Sequence, residues 1–473
     1  MPAFSVSLSS LSFVWPDGTI ALRDITAAFG PGRTGLIGRN GSGKSTLLRL
    51  IAGELAPSAG AVTATARVDV LPQALTLGVD ATVAELLGIA EVVAAVRAVL
   101  AGGTSDALYE RIGDEWDIEE RAIAALAEAG IEGAELLDRR VGTLSGGEAV
   151  LTALTGLRLR AAPIVLLDEP TNNLDREARA ALYEMLRRWR GTLIVVSHDR
   201  TLLDAMDATA ELREHTLAVF GGPFSQWEEH TRREQAAAQR DVAAAAAVLR
   251  REKRQRIETV DRAARRASVG RAAAAKANLP RIIANGMRDA AASTAGRLSR
   301  EAHGSEANAR AALDAAERRL RDDDELHLDL PDPDVPAGRR IAQLQLGDGT
   351  WHVLQGPERV ALTGRNGVGK TRLLDSLLRG CSEAHALFVP DVGVLPQRLD
   401  GLDDARSVLE NVRARAASVP LPELRNRLAR FLIVGDAVHR PVATLSGGER
   451  LRVALACIML AEPAPQLLVL DEP

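Results

Sequence analysis

Three patterns of apolar and polar positions alternate along the chain. The first is a short, uninterrupted apolar run that ends on a charged or polar residue, as in "IVLLD" (164–168), "LIVVS" (193–197) and "LLVLD" (467–471). Runs of that length predict strands buried on both faces, as in a parallel sheet covered by helices. The second pattern is amphipathic and helical, in "VAELLGIAEVVAAVRAVL" and "DIEERAIAALAEAG" within roughly residues 85–130, and predicts a pair of helices. In the third, Phe224 to Val269 contains no Gly or Pro, and Ala, Arg, Glu and Gln dominate. It predicts one helix about 70 Å long at 1.5 Å per residue. Residues 270–296 interrupt that pattern, and a return helix should end near Arg321, its start blurred by Gly286, Gly296 and Gly304.

The apolar runs belong to a repeat. "GLIGRNGSGKSTLLRLIAG" (35–53) returns as "ALTGRNGVGKTRLLDSLLRG" (361–380), and "VDVLPQ" (68–73) as "VGVLPQ" (392–397). "VGTLSGGE" (141–148) returns as "VATLSGGE" (442–449), and "PIVLLDEP" (163–170) as "QLLVLDEP" (466–473). Four elements in one order predict two α/β domains of one kind. The expected boundaries are 1–225 for the first, 226–322 for a helical linker and 323–473 for the second. After Pro170 the first copy continues through a helix and a strand to His198; the second stops at Pro473. The repeat therefore predicts a natural product on the order of 50 residues longer.

"GRNGSGKS" and "GRNGVGKT" fit G-x-x-x-x-G-K-[ST], each after an apolar run and before a helical pattern. Such a loop wraps its backbone N–H groups around phosphates at a helix N-terminus. The first covers Gly38, Arg39, Asn40, Gly41, Ser42, Gly43, Lys44, Ser45 and Thr46. The second covers Gly364, Arg365, Asn366, Gly367, Val368, Gly369, Lys370, Thr371 and Arg372. Lys44 and Lys370 are predicted to reach the terminal phosphates of ATP, and Ser45 and Thr371 to ligate Mg²⁺. Asp168 and Asp471, at strand ends about 125 and 100 residues further on, are the other predicted Mg²⁺ ligands. Glu169 and Glu472 follow each aspartate, and each is placed to polarise an attacking water. An isolated Asp-Glu pair is more often a solvated turn; the P-loop upstream changes its meaning.

With "LSGGE" added, the chain resembles the ATP-binding cassette family over nearly its whole length. The resemblance implies two cassettes, each a parallel-sheet core plus a helical subdomain, paired head to tail within one monomeric chain. It places Gln73 and Gln397 among the catalytic and Mg²⁺-binding residues, His198 at the γ-phosphate and Trp15 against adenine. It completes the first site with Ser446, Gly447 and Gly448, and the second with Ser145, Gly146 and Gly147. The second site has Leu346 in "LQLGDG" where the first has Trp15 in "FVWPDG", and the first signature lacks the arginine kept in "ERLRVAL", so the two sites need not be equal and the second draws on both weaker elements. Asn173 in "DEPTNNLD" departs from the histidine usual in the subfamily considered next.

Composition and charge narrow the class. Two cysteines, Cys381 and Cys457, are too few for a disulfide framework, zinc modules or an iron–sulfur cluster, which predicts a reducing, cytoplasmic compartment. The N-terminus has no export signal, and no run of 18 uncharged apolar residues occurs. Residues 231–320 hold 20 Lys+Arg against 10 Asp+Glu, whereas the whole chain carries −5. A basic helical hairpin on an acidic body is an electrostatic footprint for nucleic acid, and few aromatics interleave its arginines, which favours phosphate and shape contacts to structured RNA. Arg251, Lys253, Arg254 and Arg256 are the candidate contacts; the plain alternative is a solvated spacer. From Gln73 to Ser145 the first copy is 23 residues longer than from Gln397 to Ser446, which marks an inserted arm. Twin cassettes, an arm in the first and a charged linker between them resemble the ABC-F family, whose members dock, ATP-bound, in the exit-tRNA site of the ribosome as translation factors or as antibiotic-resistance proteins. A transporter ATPase subunit is the second reading, needing membrane partners but no basic hairpin. A nucleic-acid-associated ABC ATPase is the third.

Overall fold

The computed structural model describes residues 4–71, 80–133, 135–172, 174–276, 281–320, 335–346, 349–364, 367–379, 385–396, 399 and 401–471. The chain divides into two units, residues 225–324 and the remainder on either side. Among the described residues, no helix is long and apolar enough to cross a membrane.

In the first half of the larger unit, β1 (Val6–Val14), β2 (Ile20–Phe29) and β4 (Ala59–Ala64) form an antiparallel sheet in the order β2-β1-β4. The main sheet joins β3 (Gly32–Ile37), β5 (Val68–Leu71), β6 (Ile164–Asp168), β7 (Thr192–Val196), β8 (Ala208–Arg213) and β9 (Thr216–Phe220) in the order β5-β6-β7-β3-β8-β9. All its pairings are parallel except β8 with β9. The unbroken apolar runs are explained by what covers them. Ile164 and Leu166 of β6, with Ile194 and Val196 of β7, enter a core shared with α1 (Lys44–Ile51) and the small sheet. Val165, Leu167, Leu193 and Val195 point the other way. They meet α2 (Val83–Leu87), α3 (Ala90–Leu100), α5 (Ile118–Glu128), α6 (Gly146–Leu159) and α7 (Arg176–Arg187). Burying each such side chain stabilises by roughly 1.5–3 kcal/mol, so a charge in any of these positions would undo the sheet.

The arm differs from the predicted helix pair. Its first apolar stretch is divided at Gly88, which takes φ +71° as the C-cap of α2. A further helix, α4 (Asp106–Ile112), packs Ile112 onto Ala95 and Val96 of α3. The short α8 (Arg200–Asp204) completes this half.

The smaller unit is built from α9 (Phe224–Lys276) and α10 (Arg281–Glu317). Both run through the glycines expected to interrupt them: Gly270 lies inside α9, and Gly286, Gly296 and Gly304 lie inside α10. A glycine costs a helix only about 1 kcal/mol against alanine, and long alanine-rich flanks absorb that. Pro280, which cannot continue a helix interior, immediately precedes α10 in the sequence. The less exposed positions of α9 recur by threes and fours at Gln235, Ala238, Val242, Ala245, Leu249, Glu252, Arg256 and Thr259. Ala302, Glu306, Ala309, Leu313 and Ala316 do the same on α10. Alanine is the commonest residue of this seam, and Arg256 Nε meets Glu306 Oε2 across it at 2.6 Å. A charged pair set across such a seam distinguishes one register from its neighbours.

The second half of the larger unit repeats the first in part. Strands β10 (Arg340–Gln345), β11 (Trp351–Gln355) and β12 (His385–Leu387) form the small sheet, and β13 (Val392–Leu395) pairs in parallel with β14 (Leu467–Leu470). Helices α11 (Lys370–Arg379), α12 (Val408–Arg415), α13 (Leu421–Ala429) and α14 (Gly447–Met459) complete it. The strand predicted before the second P-loop is missing among the described residues. Residues 360–364 pair with no described strand, and Val360 and Leu362 are 55% and 36% exposed. In the first half the equivalent strand, β3, hydrogen-bonds to β7 and β8, which both follow β6 in the sequence. Among the described residues no strand takes either of those places beside residues 360–364. Without neighbours, the backbone groups of an apolar run have nothing to pair with.

Candidate functional site

Parallel pairing of β6, β7 and β3 brings three chain segments to one end of the sheet: the P-loop after Ile37, the Asp168–Glu169 turn, and Ser197–Asp199 after Val196. The P-loop backbone needs its glycines. Gly38 has φ +153°, and a Cβ there would lie 2.4 Å from Leu212 O; Gly43 has φ +102°, and a Cβ would lie 3.1 Å from Ala21 O. Lys44 is 7% exposed, and its Nζ donates to Gly38 O at 2.7 Å and Arg39 O at 3.1 Å. Burial lowers its pKa, opposed by the charges of Glu169 and Asp168. The Ser42 hydroxyl oxygen is buried with no hydrogen-bond partner among the described residues. A buried hydroxyl and a buried ammonium bonded only to loop carbonyls fit an anionic phosphate chain at this place. Ser45 is exposed and Thr46 half-buried at the start of α1.

Glu169 occupies φ +49°, uncommon for a residue with a side chain, and its backbone N–H donates to Val196 O at 2.9 Å. Its carboxyl is 12% exposed and is pushed up to about 7, chiefly by burial, with a hydrogen bond from the His198 backbone and the Lys44 charge pulling the other way. His198 Nε2 stands 3.3 Å from Glu169 Oε1, and burial followed by the Lys44 charge lowers the imidazole pKa, which favours its neutral form. Trp15 packs edge-on to Phe13, ring centroids 5.0 Å apart, beside the P-loop core.

Both signature serines carry a second task. Ser145 accepts from Glu148 N at 3.2 Å while Glu148 returns a bond to Ser145 N, and Ser446 and Glu449 repeat the exchange. Each is a capping box, legible as S-x-x-E but not read as one from the sequence. Gly147 is packed beneath α7, where a Cβ would lie 3.0 Å from Ala178 Cβ; Gly146 has open space beside it. Gly448 is exposed, and a Cβ there would lie 3.9 Å from the side-chain nitrogen of Asn40. Among the surroundings of the signature glycines, that approach is where the second signature comes nearest to the first P-loop. Arg450, the arginine missing from the first signature, pairs with Asp404 at 2.5 Å.

The second P-loop repeats the first in outline. Lys370 Nζ donates to Gly364 O at 2.8 Å, and Gly367 and Gly369 take φ +77° and +101°. Val368, Thr371 and Arg372 are exposed. Leu346 makes the same turn hydrogen bonds as Trp15: its N–H donates to Thr350 O and its carbonyl accepts from Gly349 N, as those of Trp15 do with Thr19 O and Gly18 N. Asp471 N donates to Leu395 O at 3.0 Å. Gln73, Gln397, Arg365, Asn366 and Glu472 lie outside the described residues, as do Asn173 and Cys381. Sequence reasoning missed Thr171, Tyr183, Ser197 and Asp199, whose hydrogen bonds hold the residues on either side of His198; only the N-cap character of "SHDRTLL" offered a signal.

The "ABC transporter" family model matches residues 22–172 and 350–473. The tylosin resistance ATP-binding protein TlrC of Streptomyces fradiae is 32% identical over all of this chain and 90% of its own length. The putative ATP-binding protein YdiF of Bacillus subtilis is 27% identical over 93% of this chain and 69% of its own. The energy-dependent translational throttle protein EttA of Escherichia coli is 28% identical over all of this chain and 85% of its own. With two P-loops and two signatures in their expected places, the chain belongs to the ATP-binding cassette family and, within it, to the ABC-F group of ATPases.

Proposed function

We propose that this chain is a cytoplasmic, ribosome-associated ABC-F factor that couples the binding and hydrolysis of Mg-ATP to docking on and release from structured RNA. The observation that carries this reading is the separate helical unit, residues 225–324, with its excess of basic residues, set between two cassettes whose other residues are acidic in sum. Arg251, Lys253 and Arg254 are exposed on it, whereas Arg256 is turned into the seam and held by Glu306. Similarity along the whole chain to one protein named for tylosin resistance and to another named as a translational throttle supports either role, antibiotic resistance or translation factor.

At the first site Lys44 neutralises the terminal phosphates, Glu169 accepts a proton from the attacking water, and His198 orients that water and the γ-phosphate between them. Ser446, Gly447 and Gly448 close the site from the second cassette beside Asn40. Ser45 and Asp168 would hold Mg²⁺, which supplies charge neutralisation on the phosphates. The second site would draw on Lys370, Thr371, Asp471 and Glu472 with Ser145, Gly146 and Gly147. Sedimentation with ribosomes tests the function: a non-hydrolysable ATP analogue should carry the protein into the ribosomal pellet and ADP should leave it in the supernatant. Equal, negligible pelleting in both would refute the reading.

A further inference from the structure

His198 is 56% exposed in its side chain and reaches Glu169 at 3.3 Å, so little packing directs the ring itself. Its neighbours in sequence are tied down instead. Ser197 is buried, with its hydroxyl 3.3 Å from that of Thr171 in the turn after Glu169. Asp199 N donates to Ser197 Oγ at 3.1 Å. Asp199 Oδ1 accepts from Thr201 N at 2.9 Å and Leu202 N at 3.2 Å, which caps α8. The other oxygen, Oδ2, accepts the Tyr183 hydroxyl at 2.5 Å, from the middle of α7. Tyr183 packs its ring against the core that holds Leu182 and Leu186.

We propose that Tyr183 is a positioning residue for ATP hydrolysis: its hydroxyl, acting through Asp199 Oδ2, holds the 197–199 turn so that His198 stands beside Glu169. The proposal rests on the roles given above to His198 and Glu169. The division of labour on Asp199 is what separates it from a structural role. Both capping bonds of α8 use Oδ1, so loss of the tyrosine hydroxyl leaves the helix capped and frees only the side of the carboxylate that faces α7. Burial and the bond to Asp199 push the phenol up to about 12, so it remains a donor at every pH where the enzyme would be assayed. The same helix begins beneath Gly147 of the first signature, through Leu174 and Ala178. Tyr183 therefore ties the histidine turn to the element that seats a signature glycine of the second site.

The test uses the full chain with Tyr183→Phe, His198→Ala and the pair together, in single-turnover ATP hydrolysis. Affinity for a fluorescent ATP analogue and the Tm are measured alongside. Tyr183→Phe keeps the half-buried ring and should lower the maximal rate about tenfold, the equivalent of about 1.4 kcal/mol. Nucleotide affinity and Tm should stay at parental values. In the His198→Ala background the same change should have no further effect, because the two act as one unit. A parental rate in Tyr183→Phe overturns the proposal, and so does an equal tenfold fall with and without the histidine or a rate loss matched by a lower Tm. If His198→Ala alone hydrolyses ATP at the parental rate, the assigned role of the histidine is wrong and the proposal falls with it.

Discussion

Replacing Glu169 with glutamine should make the protein more stable, and increasingly so as pH rises. The carboxyl is raised from 4.5 to about 7 by burial and is 12% exposed, so screening by solvent removes little of the effect. At about 1.36 kcal/mol per unit, the ionised form is destabilised in the folded state by about 3 kcal/mol. The sign follows from proton counting. Between pH 4.5 and 7 the folded protein holds a proton on Glu169 that the unfolded chain has lost. Stability is therefore present below the lower value and declines through the upper one. Glutamine cannot ionise, and every other titrating group is common to the two proteins and cancels in the difference. The advantage of Glu169→Gln should grow from under about 1 kcal/mol at pH 5 to about 3 kcal/mol near pH 8, and then level off. In a cassette of this size that plateau is a Tm difference of about 6–12 °C. Parallel thermal scans of parent and variant without nucleotide, from pH 5 to 8.5, measure it. A difference that is flat with pH, or that shrinks as pH rises, would show a normally ionised carboxylate and would remove the argument that burial tunes this group. Where Glu169 acts as the base, parental turnover should rise through the same region near pH 7, whereas the variant should bind ATP and turn over at least two orders of magnitude more slowly.

Three further outcomes follow from the placement of side chains. Changing Arg251, Lys253 and Arg254 to Glu should weaken ribosome association and reduce its salt slope by about one for each phosphate no longer neutralised; unchanged pelleting at moderate salt would favour a passive spacer. Arg256→Ala should instead lower the melting of the hairpin, followed by circular dichroism, by about 1–3 kcal/mol as Glu306 is left without its partner in the seam, and Glu306→Ala should do the same. If Trp15 stacks on the base, as the resemblance implies, Trp15→Ala should weaken ATP binding at the first site by roughly 1–2 kcal/mol, while Leu346→Trp should tighten it at the second; isothermal titration resolves both, and unchanged affinities would refute the assignment.

The chemistry was legible because it is local. P-loops, signatures and the Asp-Glu turns are short segments whose backbone requirements are written in their own residues, as the conformations of Gly38 and Gly43 show. What escaped was whatever depends on a second segment. The amphipathic period of the arm predicts two helices, and Gly88 alone divides the first of them. The glycines of the hairpin read as breakers, whereas alanine on either side outvotes them. Arg256 carries the same charge as Arg254 and looks equally available in the sequence, but only its position every third or fourth residue along the seam sets it opposite Glu306. Tyr183 is one of two tyrosines in the chain and stands in no motif; it matters only because α7 passes beside the turn that holds His198.

The clearest case is the pair of runs before the two P-loops. "GLIG" and "ALTG" have the same length, a leucine at the same position and the same glycine at the turn. One is the fourth strand of a six-stranded sheet and the other pairs with no described strand. Since local propensity is nearly equal, the difference lies in the neighbours: Thr192–Val196 on one side of β3 and Ala208–Glu211 on the other supply its hydrogen bonds. A central parallel strand contributes almost none of its own stability, because it has a partner along both edges and a helical layer on both faces or it has no structure at all. The lysine at the tip of each run therefore inherits different footing. Lys44 is anchored by a loop that springs from the middle of a sheet and is 7% exposed, whereas Lys370 keeps its bond to Gly364 on a loop whose supporting run is itself open to solvent. Phosphate binding depends on the loop being preorganised before the ligand arrives. Among the described residues, then, the two P-loops differ beneath the loop, in the sheet, although their own residues are nearly alike.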